Sequence, residues 1–195
     1  MEERGISLAH TTVRRWVQHY IPKCEKYWHK MHRHVGNSWY VDETYLKMKG
    51  KWIYLYRAVD QHGNTVDFLL SAKRDTAAAT RFLRKAIVSW CRPTKLTLDK
   101  YHANHLAIQE LKETQYLKRP TIRTAKCLTN RIERDHRRIK QRVRPMQAFQ
   151  VFRNAQVTIA GIELAHQFRK EKHKLRIKKQ SPGASESSWL KLLAA

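Results

Sequence analysis

Three consecutive strand-like segments constrain the fold of this chain most strongly. Residues 39–46 alternate apolar and polar side chains, residues 52–59 are almost continuously apolar and aromatic, and residues 65–72 return to an apolar pattern. Alternation is typical of a strand with one buried face, and a continuous apolar run is typical of a central strand. Short turns containing glycine separate the segments, so we predict an antiparallel three-stranded meander.

Helices and short strands alternate in the rest of the core. Asp75 can cap a helix that ends before Pro93, and a long helix follows Pro145. The apolar spacing also predicts helices over 102–113 and 130–143 and short strands at 95–99 and 121–125. Three antiparallel strands followed by alternating helices and strands indicate an α/β chain. Its mixed five-stranded sheet would be flanked by helices, which is the element order of the ribonuclease-H-like fold.

The two ends of the chain differ from this core. Residues 11–21 predict an amphipathic helix that resembles the second helix of a helix-turn-helix. Two interpretations stay open: residues 1–22 form a partial helix-turn-helix DNA-binding segment, or the helix packs on the main domain. Residues 23–37 predict a basic linker, residues 38–180 the α/β core, and residues 181–195 a loose tail.

The charge indicates a polyanionic partner. The chain carries 40 Lys+Arg against 16 Asp+Glu, a formal net charge of +24. DNA or RNA is the leading partner, because neutralised phosphates dominate such affinities. No apolar run approaches the ~20 residues of a spanning helix, so no membrane partner is expected. Three widely separated cysteines argue against a disulfide framework, and we expect a cytoplasmic protein.

Three acidic residues interrupt this basic chain at positions that suggest a metal site. Asp42 lies in the first strand, Asp99 ends the fourth strand, and Glu133 lies in the first turn of a basic helix. In a mixed sheet of this order the first and fourth strands are neighbours, and the helix can bring Glu133 to them. Clustered carboxylates repel one another unless a cation neutralises them. Mg²⁺ favours such oxygens, and two ions can promote attack at a phosphodiester.

Each acid also has an ordinary structural interpretation. Asp99 can cap the turn into the next helix, and Glu133 is the third residue after Asn130, as in a capping box. Asp42 is harder to explain in this way, because strands are depleted in aspartate. Glu43 points to the opposite face of the strand, and we predict that it is a salt-bridge partner.

Several motifs resemble one known family. WYVDETYLKMKGKWIYLYRAVDQHGNTVDFLLSAKRD, LTLDK, LTNRIERDHRRIKQRVRPM and TIAGIELAH are similar to the DDE transposases of the IS-six family, which are bacterial and archaeal insertion-sequence enzymes. The resemblance covers about residues 5 to 175. It implies a ribonuclease-H-like core, Mg²⁺- or Mn²⁺-dependent strand transfer and a dimer or larger assembly on DNA. It also implies that Asp42, Asp99 and Glu133 are the catalytic, metal-binding triad.

Two departures from the family pattern accompany the resemblance. The segment between Asp99 and Glu133 is one residue shorter than is typical. The chain begins at MEERGIS, which resembles the middle of the family's helix-turn-helix, so we expect an N-terminally truncated protein.

Basic residues near these acids are predicted to contact phosphates. The DNA partner is expected to be double-stranded, comprising the element ends and the target, and the protein to be nucleoid-associated. The predicted DNA-binding residues are Arg14, Arg15, Lys100, Arg134, His136, Arg137, Arg138, Lys140, Arg142 and Arg144.

Two other functions stay open. A catalytically inactive, truncated transposase would act only as a DNA-binding protein, and metal-dependent nicking distinguishes it from the enzyme. A structural RNA-binding protein is the third interpretation. It leaves the three acids without a role, and the sequence shows no obvious aromatic platform for a single strand.

Overall fold

The structure, a computed structural model, describes residue 5 and residues 8–30, 35–99, 101–124, 130–146 and 149–179. The helices are α1 (His10–Lys30), α2 (Thr76–Ser89), α3 (His102–Glu113), α4 (Asn130–Val143) and α5 (Phe152–Lys179). The strands are β1 (Ser38–Met48), β2 (Lys51–Asp60), β3 (Thr65–Ser71), β4 (Lys95–Thr97) and β5 (Thr121–Arg123). A short 3₁₀ helix, Arg144–Met146, follows α4.

The five strands form one mixed sheet in the order β3-β2-β1-β4-β5. The first three strands are antiparallel, whereas β4 pairs in parallel with both β1 and β5. This arrangement confirms the predicted sheet, including the adjacency of the first and fourth strands.

Two apolar cores lie on opposite faces of the sheet because successive strand residues point to opposite sides. One core packs Val41 and Tyr56 against Phe82 of α2 and Ile108 of α3. The other packs strand residues such as Leu46 against α4 and α5. Asp42 has the same strand parity as Leu46, which puts it on the face that α4 and α5 cover.

The β1–β2 connection is a two-residue turn. Lys49 and Gly50 both take positive φ, at 46° and 77°, as the type I′ hairpin turn requires. The end of β1 also pairs with the segment before α5, where the Lys49 N–H donates to the Phe149 carbonyl at 3.1 Å. The hairpin is therefore held at its tip as well as along its strands.

Helix boundaries in the core follow the sequence pattern closely. α3 and α4 begin and end where the apolar spacing predicts. Asp75 caps α2, because its Oδ1 accepts a hydrogen bond from the Ala78 N–H at 2.8 Å. β4 is shorter than predicted by two residues.

Helix α1 is longer than predicted and runs into the segment predicted as a linker over residues 23–37. The helix continues through Pro22 to Lys30, although an internal proline costs roughly 3 kcal/mol. Packing on α5 offsets this cost. A Cβ built on Gly161 would lie only 3.3 Å from the Ile21 side chain, so the glycine allows the close approach.

The stripe predicted for α1 is only partly covered by this packing. Val17 and Ile21 are half-buried, whereas Val13, Trp16 and Tyr20 are exposed. Of the two interpretations of this segment, packing on the main domain is observed. The partial helix-turn-helix stays a prediction, because residues 1–4, 6 and 7 lie outside the described part of the chain, as does the tail over 181–195. Among the described residues, no helix has the length and apolar character of a membrane span.

Candidate active site

The parallel β1–β4 ladder ends just before Asp42 and Asp99. Ser38 pairs with Lys95 and Tyr40 pairs with Thr97 in the parallel β1–β4 ladder. Asp42 and Asp99 each follow the last pair of this ladder by two residues, so a continued register would bring them opposite each other. The side chains are 20 % and 37 % exposed, so solvent and ions reach both carboxylates.

A buried histidine contacts the first carboxylate. His136 in α4 places its Nδ1 3.4 Å from Asp42 Oδ2. Burial lowers the pKa of His136, although the neighbouring Asp42 opposes the shift. The contact from Nδ1 helps to orient the Asp42 carboxylate. Side-chain partners of this kind fix the orientation of metal ligands in other proteins.

A fully buried ion pair lies behind Asp42. Arg57 is the cross-strand partner of Asp42, and its Nε lies 2.6 Å from Glu163 Oε1 in α5. A second contact, from Arg57 Nη2 to Glu163 Oε2, measures 3.1 Å. Two-pronged geometry is what makes a buried pair tolerable. The pair fastens α5 to the sheet next to the site, and the charge of Arg57 also lowers the pKa of His136.

Asp99 is oriented from the other side. The Tyr101 backbone N–H and the Asn104 side-chain amide each donate to Asp99 Oδ1 at 3.1 Å. Asp99 therefore does brace the turn into α3, as its structural interpretation predicts. Its second oxygen, Oδ2, lies 3.8 Å from Arg74 Nη2 and stays within reach of a further cation.

Glu43 and Arg74 form the salt bridge that the sequence predicts for Glu43. Arg74 Nη2 lies 2.8 Å from Glu43 Oε2, and Arg74 Nε donates to the same oxygen at 3.0 Å. Burial raises the pKa of Glu43, and the Arg74 charge opposes that shift. Arg74 also stacks on Tyr101, 3.7 Å from the ring centroid. Glu43 thus holds the Arg74 guanidinium beside Asp99.

Glu133 lies in the first turn of α4, three residues before His136. Residues three apart lie on one side of a helix, so the backbone of α4 carries position 133 along the side that faces Asp42. The structure describes the backbone of Glu133 but not its side chain. Among the side chains that it does describe, no three His, Cys, Asp or Glu residues form a metal-binding group.

Known proteins share much of this sequence. The family model of the DDE domain matches residues 36–172. The chain is 38 % identical over 183 residues to the transposase for insertion sequence-like element IS431mec of Staphylococcus aureus strain Mu50, covering 93 % of this chain and 80 % of the relative. The chain belongs to the DDE transposases of the IS-six family. A second relative from Staphylococcus aureus, the transposase for insertion sequence element IS257 in transposon Tn4003, is 38 % identical over 180 residues, which are 92 % of this chain and 79 % of the relative.

A solved structure supports the fold of this transposase. The HTLV-2 integrase catalytic core domain in complex with magnesium, in its trimeric form, aligns with a TM-score of 0.51 at 18 % identity. The alignment covers 66 % of this chain and 85 % of that domain. The ribonuclease-H-like fold predicted from the element order is thereby confirmed.

The predicted DNA-binding residues of the transposase occupy different environments. His136 is buried against Asp42 and has no side-chain surface at the basic face of α4. Ile132, Ile139 and Val143 lie on the same side of α4 as His136 and are buried. This helical spacing in the sequence is the signal that identifies His136 as inward-facing. Lys100 lies outside the described residues, and only the backbone of Arg134 is described. Exposed or half-buried positions are Arg14 and Arg15 on α1, Arg137, Arg138, Lys140 and Arg142 on α4, and Arg144 beyond it.

Three site residues escape sequence reasoning. Arg57 interrupts the apolar run WIYLYRAV, and Glu163 interrupts the apolar run TIAGIELAH. A charge inside an apolar segment signals a buried pair, but sequence does not say which charge it meets. Arg74 carries no such signal, because it follows a strand in an ordinary polar turn.

Proposed function

We propose that this transposase cleaves DNA at the ends of an insertion sequence and joins the freed ends to target DNA, using Asp42, Asp99 and Glu133 as metal-binding catalytic residues. The observation that carries the proposal is that Asp42 and Asp99 each follow the last pair of the parallel β1–β4 ladder by two residues, while α4 bears Glu133. Two partly exposed carboxylates near the end of one ladder suit a hard divalent cation, which prefers carboxylate oxygens.

The chemistry needs little covalent participation from the protein. A water attacks the phosphodiester at the element terminus and displaces a 3′-oxygen, which leaves as a 3′-hydroxyl. That hydroxyl then attacks a target phosphodiester and displaces another 3′-oxygen. Bound Mg²⁺ or Mn²⁺, in our proposal two ions, supplies activation of the attacking oxygen and charge stabilisation.

The protein's own residues position the carboxylates for this reaction. His136 fixes Asp42 through its 3.4 Å contact, and the Tyr101 N–H and Asn104 amide fix Asp99. Ligands held in place before the substrate arrives lower the reorganisation that the reaction requires.

Double-stranded DNA, as element ends and as target, is the proposed partner. The net charge of +24 and the exposed basic residues of α4 support it, because each neutralised phosphate releases counterions. Joining two ends in one event favours a homodimer or larger assembly. The HTLV-2 integrase catalytic core domain described above is described as a complex with magnesium in a trimeric form. A bacterial or archaeal nucleoid is the expected site of action.

Strand joining tests this proposal directly. The protein is incubated with labelled duplex bearing the terminal repeat of its element, a target plasmid, and Mg²⁺ or Mn²⁺. We expect joined product from the wild type and none from Asp42→Asn, Asp99→Asn or Glu133→Gln. Glu113→Gln, a change at the end of α3, is the matched control. DNA binding without nicking by the wild type would instead support the inactive DNA-binding protein.

A further inference from the structure

The β1–β2 hairpin extends well beyond the carboxylates. β4 ends at Thr97, whereas β1 continues for six residues past Asp42 to Met48. At about 3.3 Å per residue the tip lies roughly 20 Å from the level of Asp42. We call residues 44–55 the hairpin arm.

One face of the hairpin arm carries a row of aromatic rings. Tyr45 pairs across the strands with Tyr54, and Trp52 pairs with Lys47. The ring centroids of Tyr45 and Tyr54 are 5.5 Å apart, and those of Tyr45 and Trp52 are 6.2 Å apart. Tyr45 is 43 % exposed and Trp52 is 54 % exposed. This aromatic row therefore leaves the buried core and reaches solvent towards the tip.

Lysines surround the aromatic row. Lys47, Lys49 and Lys51 are exposed, and residues 44–55 contain no acidic side chain. Lys47 Nζ lies 5.2 Å from the Trp52 ring centroid. Exposed rings among cations form the surface on which single-stranded nucleic acids bind, since bases stack on rings while lysines neutralise phosphates.

Arg74 connects the aromatic row to the carboxylates. Its guanidinium lies 5.6 Å from the Tyr45 ring centroid, and its Nη1 donates to the Tyr45 hydroxyl at 2.9 Å. The same guanidinium lies 3.8 Å from Asp99 Oδ2. A DNA strand that runs from Asp99 past Arg74 thus reaches the aromatic row, which lies on the face of the sheet opposite Asp42.

The hairpin arm is rigid before any partner arrives. Its opposite face packs Leu46 and Ile53 into the core that α4 and α5 cover, and Phe149 pairs with the end of β1. A preformed surface loses little conformational freedom on binding. The rings are therefore presented in fixed positions.

We propose that the aromatic row binds unpaired bases of the DNA strand where it continues from Asp99 past Arg74, with Tyr45 and Trp52 as stacking surfaces and the arm lysines as phosphate contacts. The inference rests on the proposed function and adds an unpaired strand to its substrate. A second copy of the chain is a poorer occupant, since two lysine-rich arms repel each other. The sequence showed no obvious platform because aromatic residues in strands ordinarily belong to the core.

Binding without catalysis tests the proposal. Fluorescence anisotropy is measured in EDTA with a labelled single strand and with a duplex of the same sequence. Trp52→Ala is expected to weaken single-strand binding about five- to a hundredfold and to leave duplex binding nearly unchanged. Trp52→Phe should retain most of the affinity. Tyr27→Ala, which removes an exposed ring from α1, is the matched control and should bind as the wild type does.

Salt dependence separates stacking from charge. Lys51→Gln should make the slope of log affinity against log salt concentration shallower by the amount expected for about one lost phosphate contact. Trp52→Ala should leave that slope unchanged. Equal loss of single-strand and duplex binding in Trp52→Ala would overturn the proposal. A smaller sedimenting species in Trp52→Ala without DNA would overturn it too, by showing a contact between copies. Neither readout requires strand joining, so a failure here is distinct from a failure of the Asp42 and Glu133 experiments.

Discussion

The Arg57–Glu163 pair offers the sharpest test of how the fold supports the site. Both side chains are fully buried, and the pair joins β2, directly opposite Asp42, to α5. Glu163→Gln keeps the shape of the side chain but removes the negative charge that Arg57 Nε meets at 2.6 Å in the buried interior. We predict that this change strongly destabilises the protein and that Arg57→Met combined with Glu163→Leu restores most of the stability.

The size of the effect follows from the burial. Removing one partner of a buried ion pair costs about 3–5 kcal/mol, whereas an exposed pair is worth at most about 1 kcal/mol. With a total stability of roughly 5–15 kcal/mol, Glu163→Gln removes a large fraction of it. For a urea dependence of about 2–3 kcal/mol per molar, the midpoint falls by about 1–2.5 M.

Urea unfolding followed by far-UV circular dichroism measures this shift, and the double variant completes a mutant cycle. Glu110→Gln is the matched control, because Glu110 accepts a hydrogen bond from Thr80 at an exposed position. Its midpoint should move by less than about 0.3 M. Equal shifts for Glu163→Gln and Glu110→Gln would refute the buried, two-pronged pair.

Three further predictions address the site and its surroundings. His136→Leu should lower strand joining roughly 10–100-fold by releasing Asp42, with partial recovery in His136→Asn, which restores a donor; single-turnover rates measure both. Asp75→Ala removes the acceptor for the Ala78 N–H and should cost about 1 kcal/mol of unfolding free energy in urea. Burial raises the pKa of Tyr56 well above its usual value. The folding stability that comes from keeping this hydroxyl neutral is therefore fully present below about pH 10 and is lost as the pH rises further. Tyr56→Phe should therefore make alkaline unfolding, followed by circular dichroism, less steep.

Local sequence patterns carried much of the fold. The limits of α3 and α4, the cap at Asp75 and the three-strand meander follow from side-chain spacing and backbone preferences, which act over a few residues. These signals also placed Asp42 on β1 and Glu133 on α4, whereas Asp99, predicted to end β4, lies two residues beyond it. They failed at Pro22, where packing on α5 outweighs the local cost of an internal proline.

Contacts between distant residues lay beyond such patterns. His136 is separated from Asp42 by most of the core, and Arg57 and Glu163 are 106 residues apart. A charged residue in an apolar segment indicates burial but does not identify its partner. Which rings of the hairpin arm stay exposed depends on where α2 and α3 end over the sheet, which no local spacing determines.

The sequence by itself determined the elements, the order of three acids on them and a basic surface suited to DNA. Only the tertiary structure decided that the β1–β4 ladder ends two residues before Asp42 and Asp99, that His136 is buried beside Asp42 instead of exposed on α4, and that Tyr45 and Trp52 stay exposed to solvent. The physical reason is range: helix and strand periodicity is fixed by neighbours along the chain, whereas register and burial are fixed by packing between segments far apart in it.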